Sequence, residues 1–430
     1  MKKITLLLLA ILFAQFAFAQ SSFYYQTGND RFSFKVQPFV ATYVDRSSNI
    51  DNLNPATPTG MNFAIEFPSS QQRPWQQYLN NPTVGLGVTT IDFGHDERMG
   101  HAYSVYPYIL IPTIRQKFVE LDVKLAAGLG MVSEHWYTQE DTDPDHYHDA
   151  TTNTTFGSYL NAYLNAGLDL NIPLSRNLAL NAEAGYIHMC NGRMAMPNVG
   201  ANLLYGGVGI LATINPSDKV EPVQFPDRPY GWCLNFTASA GTHAAAIADE
   251  HNFLISYLHA GAVYYLNNWY GVGPGFDLFY NGAVTNETDR SLYCKNHTYT
   301  LKDQIRGAIV MNNEFKFGEI TALVDLGVYV FNPSRNLYYD RHLEYGCDYK
   351  NPLLFKTMGA GSEEACFYWR MGAKYRVWDN LHLQVSAKNH LHICEFVEFG
   401  LNYQIPFLKK ENRQNGAKIY HHHKNWWLAR

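Results

Sequence analysis

Leu178-Ala-Leu-Asn-Ala-Glu-Ala-Gly-Tyr-Ile-His-Met-Cys190 alternates residue by residue. Leu178, Leu180, Ala182, Ala184 and Tyr186 form one apolar row, and Asn181 and Glu183 stand on the opposite face. A period of two is the period of a β-strand. A strand this long, apolar on one face and polar on the other, suits a wall between lipid and a filled polar lumen. A secreted sandwich would bury its apolar face and use shorter strands. His188 and Cys190 continue the apolar row. An ionisable side chain aimed at lipid is expensive, which makes this pair a candidate functional site.

The same alternation recurs along the chain. Val119, Leu121, Val123 and Leu125 alternate with Glu120, Asp122 and Lys124; Leu160, Ala162, Leu164 and Ala166 alternate with Asn161 and Asn165. Phe367, Trp369, Met371 and Ala373 do so with Arg370 and Lys374. The pattern predicts eight strands near 32–44, 60–68, 82–93, 100–112, 117–132, 156–171, 177–190 and 200–214. Eight more are predicted near 230–241, 251–265, 268–283, 300–316, 318–331, 366–378, 380–393 and 395–407. Tight links such as Asn267-Asn268 and Asp379-Asn380 alternate with long polar connections. Short periplasmic turns and long outer loops are the rule for outer-membrane barrels. By that rule the 133–155 and 332–364 loops face outward, and Cys190 lies at the outer end of its strand.

Between the two sets, residues 215–229 contain Pro216, Pro222, Pro226 and Pro229. Proline cannot donate to a strand ladder. The fold expected is therefore all-β: an antiparallel transmembrane barrel in residues 30–214, a proline-rich linker over 215–229, a second barrel in 230–407 and a tail over 408–430. One sixteen-stranded barrel is the alternative. The halves look like a duplication, since Asn177-Leu-Ala-Leu-Asn-Ala-Glu-Ala matches Asn380-Leu-His-Leu-Gln-Val-Ser-Ala. In the second copy Leu391 and Ile393 fall where His188 and Cys190 stand. A second His-x-Cys, His392 and Cys394, is displaced by one residue, which turns it to the lumen beside Lys388 and His390.

Lys2 and Lys3, the apolar run Ile4 to Phe13 and the end Ala17-Phe-Ala19 read as a cleaved secretory signal over 1–19. No later apolar run is long enough to span a bilayer as a helix. A net charge of −5 gives no reason to expect nucleic acid as a partner. Of the six cysteines only Cys190 lies in the first half. Cys294, Cys347, Cys366 and Cys394 are placed to form two disulfides by any of three pairings, and Cys190, alone in the first half, is expected to be a free thiol.

His188-Met-Cys190-Asn191, then Pro197-Asn198-Val-Gly200, then Asn202 resembles the outer-membrane lipid A deacylases, acyloxyacyl hydrolase-like barrels. Their frame is His-x-Ser-Asn, Pro-Asn-x-Gly and a glutamate. Here cysteine replaces the serine and Asn202 takes the glutamate's place. The resemblance covers about residues 30–214. It implies an outer-membrane hydrolase that removes an ester-linked acyl chain from lipid A of lipopolysaccharide, with outer-membrane lipids around it.

Residues i and i+2 of a strand share a face within roughly 7 Å, so His188 and Cys190 can act together as base and nucleophile. Cysteine beside an imidazole is a competent nucleophile. Asparagine can hold a histidine tautomer, which makes Asn202 the orienting group. Asn191 or a nearby backbone N–H is the candidate oxyanion donor. No cofactor and no metal is expected at this site.

Two other classes stay open: a catalytically inactive structural or partner-binding barrel, and a porin-like channel with a wide open lumen. Glu120, Asp122, Lys124, Asp169 and Glu183 carry both charge signs close together, which suits a plugged lumen. Glu140, Asp141, Asp143, Asp145, His146, His148 and Asp149 read as a solvated acidic loop, and His421 to His423 as part of a tail.

Overall fold

β1 shows how the alternation builds a wall. Lys35 and Gln37 are buried, while Phe34, Val36 and Val40 are exposed. The structure, a computed structural model, describes residues 31–44, 50, 53–69, 74–136, 153–214, 231–245, 252–267, 269–285, 297–334, 366–390 and 393–408. The expected signal, linker and tail lie outside the described residues, save Leu408, which ends the last strand, as do the 140–149 loop, Cys294, Cys347, Leu391 and His392.

Eight strands make the first half: β1 (Phe32–Tyr43), β2 (Thr59–Pro68), β3 (Thr83–Asp92), β4 (His101–Gln116), β5 (Val119–Val132), β6 (Leu160–Pro173), β7 (Leu178–Cys190) and β8 (Ala201–Ile214). A short helix, α1 (Pro74–Tyr78), lies between β2 and β3. The second half has β9 (Gly231–His243), β10 (Phe253–Tyr265), β11 (Tyr270–Asn281), β12 (Ile305–Phe317), β13 (Ile320–Phe331), β14 (Phe367–Arg376), β15 (Leu381–His390) and β16 (Ile393–Leu408).

Each half closes on itself as an antiparallel barrel. β1 pairs with β8 from Phe32↔Ile214 to Tyr43↔Leu203, and β9 pairs with β16 from Gly231↔Leu408 to Gly241↔Glu398. The tandem reading holds, and the single sixteen-stranded barrel does not form. Closure leaves no unpaired strand edge among the described strands.

Both lumens are filled by ion pairs. In the first, Lys35 Nζ lies 2.7 Å from Asp169 Oδ2 and 3.1 Å from Glu66 Oε1, and Lys124 Nζ lies 2.6 Å from Glu183 Oε1. Tyr108 donates to Glu66 at 2.8 Å. Glu120 stands apart from this network and pairs with Arg115 where it is partly exposed. In the second, Lys374 pairs with Glu314 at 2.6 Å, Arg306 with Glu395 at 2.6 Å, and Arg370 with Glu398. Buried charges persist where partners compensate them. These plugged barrels of eight strands are not the wide channel that a porin-like reading needs.

The barrels touch at both ends. At the short-turn end the Trp75 and Phe317 rings meet edge to face, 6.3 Å between centroids. At the long-loop end the connection after β7 packs on the second barrel. Arg193 donates from Nε to Ala244 O at 2.9 Å and from Nη2 to Ala245 O at 2.8 Å. Ala244 N donates back to Arg193 O at 2.8 Å, and Asn252 Nδ2 donates to Met194 O at 2.8 Å.

Candidate active site

The alternation of β7 continues to its end: Ile187 and Met189 point into the first barrel's core, and His188 and Cys190 point out. β8 pairs beside it with His188 opposite Asn202. This register brings the two side chains together, and His188 Nδ1 lies 2.7 Å from Asn202 Oδ1. The Tyr186 hydroxyl, one step back in the same outward row, donates to that oxygen at 2.6 Å. An amide oxygen only accepts, so it holds the imidazole as the Nδ1–H tautomer. The Nε2 lone pair is left for the thiol, and Cys190 is hydrogen-bonded to His188.

The loop after Cys190 is tied down by its own polar groups. Asn191 N donates to Asn198 Oδ1 at 3.0 Å, and Asn191 Nδ2 donates to Ala195 O at 2.9 Å. Asn191 Oδ1 is buried without a hydrogen-bond partner. The Asn191 amide therefore braces the loop, and it is the Gly192 N–H that is hydrogen-bonded to the Cys190 sulfur. Gly200 ends the loop with φ +78, and a Cβ there would sit 3.2 Å from both Cys190 Cβ and His188 Cε1. Its N–H is bound to Thr155 O at 2.9 Å. Glycine is needed because a side chain in this left-handed conformation would press on both site residues.

Cys394 corrects two expectations. It is a free thiol like Cys366, so these two do not pair with each other, and it does not face the lumen. The β15–β16 register shifts between Lys388↔Phe396 and Asn389↔Cys394, leaving Glu395 as an extra residue. Glu395 and Phe396 are both buried, and the bulge turns Cys394 to the outside. There its thiol is hydrogen-bonded to that of Cys190. Cys190 is accordingly only 7% exposed, although its strand position faces outward. Lys388 and His390 do line the lumen, where both meet Glu395.

Sequence reasoning did not single out Tyr186, named a backbone N–H near Asn191 without fixing it as that of Gly192, and turned Cys394 to the wrong face. Tyr186 carried a signal, since it precedes His188 by two residues on one face. Cys394 carried none, because its place depends on a bulge and on the contact between barrels. Asp92, Asp96 and His101 bring potential metal-ligating atoms within 4.8 Å of one another, where β3 leads into β4, and His188 and Cys190 are not part of that group.

Two family models match the chain. Residues 59–210 match the family model described as lipid A 3-O-deacylase (PagL), and residues 232–350 match that of the acyloxyacyl hydrolase C-terminal domain. No curated protein matches the chain. Among solved structures, the outer membrane enzyme PagL is 14% identical, with 42% of this chain and 98% of that one covered and a TM-score of 0.25. Neisserial surface protein A is 12% identical, covering 43% and 95%, with a TM-score of 0.25. A Rh. blastica porin variant is 12% identical, covering 87% and 99%, with a TM-score of 0.17. The two family matches together span more than half of the chain. The protein belongs to the outer-membrane lipid A deacylase family, its first barrel carrying the deacylase match and its second the C-terminal domain match.

Proposed function

We propose that this protein is an outer-membrane hydrolase that removes an ester-linked acyl chain from lipid A, with Cys190 as nucleophile. The observation that carries the reading is the order Asn202–His188–Cys190 on the outer face of β7 and β8, in which Asn202 Oδ1 holds His188 Nδ1 at 2.7 Å and the thiol meets the same ring. His188 takes the thiol proton, and the Cys190 sulfur attacks the ester carbonyl carbon. The tetrahedral intermediate collapses with the acyl chain on sulfur as a thioester. The lipid A hydroxyl leaves with the proton from His188. Water, deprotonated by His188, then attacks the thioester, which releases the fatty acid and restores the thiol.

The Gly192 N–H, already directed at the sulfur, is the donor best placed for the oxyanion, and Asn191 holds the loop that carries it. Asn202 orients His188 but adds no negative charge to stabilise imidazolium. The outer end of the strand is the level of lipopolysaccharide in the outer leaflet. The test is the mass spectrum of lipid A from cells with and without the gene. Lipid A one acyl chain lighter in the expressing cells supports the reading; identical lipid A in both, with the protein correctly inserted, contradicts it.

A further inference from the structure

The second barrel reaches the first at one chemically reactive point. Cys394 and Cys190 are both free thiols in hydrogen-bond contact, carried by different barrels. The surroundings hold them there from three directions. Val397 packs so closely on Gly192 that a Cβ on the glycine would lie 2.3 Å from Val397 Cγ2. The Arg193 guanidinium is fixed to Ala244 O and Ala245 O. The β15–β16 bulge turns Cys394 outward, and its Sγ also lies 3.8 Å from Phe396 O.

We propose that Cys190 and Cys394 form a disulfide site between the barrels, which shuts off acyl release when oxidised and restores it when reduced. The existence of the site rests on the contact alone; what it shuts off rests on the function proposed above. An exported protein meets disulfides as oxidants. Cys394 is the more exposed of the two and reacts first. Its thiolate attacks one sulfur of an external disulfide, the external S–S bond breaks, and one thiolate leaves. Cys190 Sγ then attacks Cys394 Sγ in the mixed disulfide, which breaks and releases the second thiolate. Two protein thiols lose two protons and two electrons, and the external disulfide takes them up as two thiols. A Cys190 sulfur bound to Cys394 has no lone thiolate to offer an ester, so attack ceases. A thiol reductant reverses both steps.

The test uses full-length protein and its Cys394→Ser variant in detergent micelles, treated with oxidised glutathione. Non-reducing digestion and mass spectrometry read the linkage, and lipid A deacylation is followed before and after dithiothreitol. The expected result is a Cys190–Cys394 cross-linked peptide in the wild type, lighter by two hydrogen atoms than its parts. Acyl release should fall by about tenfold or more and return with dithiothreitol. Cys394→Ser should give no cross-linked peptide and a glutathione adduct at most. A folded wild type whose two thiols stay free, or pair with other cysteines, overturns the proposal and leaves the deacylase reading intact. A cross-linked protein that deacylates at full rate overturns the switch and Cys190's role together. Cross-linking in a protein inactive in both states supports the disulfide site and contradicts the deacylase reading.

Discussion

His188 and Asn202 face each other across β7 and β8, and the imidazole Nδ1 sits 2.7 Å from the amide oxygen. This pairing decides how the site can work. The orienting group is neutral, and it is shared with the Tyr186 hydroxyl at 2.6 Å. A neutral acceptor fixes the tautomer of the ring but would give little help to the imidazolium that the proposed mechanism forms during attack.

Asn202→Ala removes the hydrogen bond that orients His188. A neutral hydrogen bond contributes about 0.5–1.5 kcal/mol, so acyl release should fall roughly threefold to tenfold. Asn202→Glu places a carboxylate against the same ring nitrogen, and charge-assisted bonds are about twice as strong. Its kcat should rise by roughly tenfold. Steady-state kinetics on purified lipid A check both, and an Asn202→Glu enzyme slower than the parent contradicts the orienting role.

Arg193 joins the loop that carries the Gly192 N–H to the second barrel through two carbonyl oxygens. Arg193→Ala should loosen that loop without unfolding either barrel. Each bond from a charged donor contributes about 1.5–3 kcal/mol. Acyl release should drop about tenfold or more while heat-modifiable gel mobility stays that of the parent. Parent-like kinetics would show that the second barrel does not position the site.

Lys124 is buried in the first lumen with Glu183 at 2.6 Å. Lys124→Met leaves that carboxylate with one cationic partner fewer, Lys35 at 3.2 Å remaining. Breaking a buried pair by removing one partner costs about 3–5 kcal/mol. The midpoint of urea unfolding in micelles should fall clearly, and adding Glu183→Gln should recover part of the loss. An unchanged midpoint would mean that the lumen network contributes little to stability.

The architecture was legible because each strand writes its two environments into alternate residues. Phe34 and Val36 against Lys35 and Gln37 is the same statement in sequence and in burial. The outward placement of His188 and Cys190 followed from the same count and holds. What the count could not carry was Cys394. One extra residue at Glu395 reverses the facing of what precedes it, and a bulge has no signature in an alternation read from a single strand. Nor does a strand reveal which other barrel will pack beside it, so the outward-facing Cys190 meets Cys394 of the second barrel. Spacing placed Asn191, or a backbone N–H near it, at the site; the Asn191 amide is engaged by Ala195, and the backbone N–H at the sulfur is that of Gly192.

The account stands or falls on whether the acyl chain passes through Cys190. The most direct measurement is acid-quenched, intact-protein and peptide mass spectrometry of reduced enzyme mixed with lipid A, run beside acyl-release kinetics of Cys190→Ala, Cys190→Ser and His188→Ala. The account predicts an acyl thioester on the peptide that contains Cys190, labile to hydroxylamine. It predicts no acyl release from Cys190→Ala, partial release from Cys190→Ser, and a loss of about 10²–10⁴-fold for His188→Ala. A Cys190→Ala protein that deacylates lipid A at the parent's rate would contradict the mechanism and leave the two barrels standing without it.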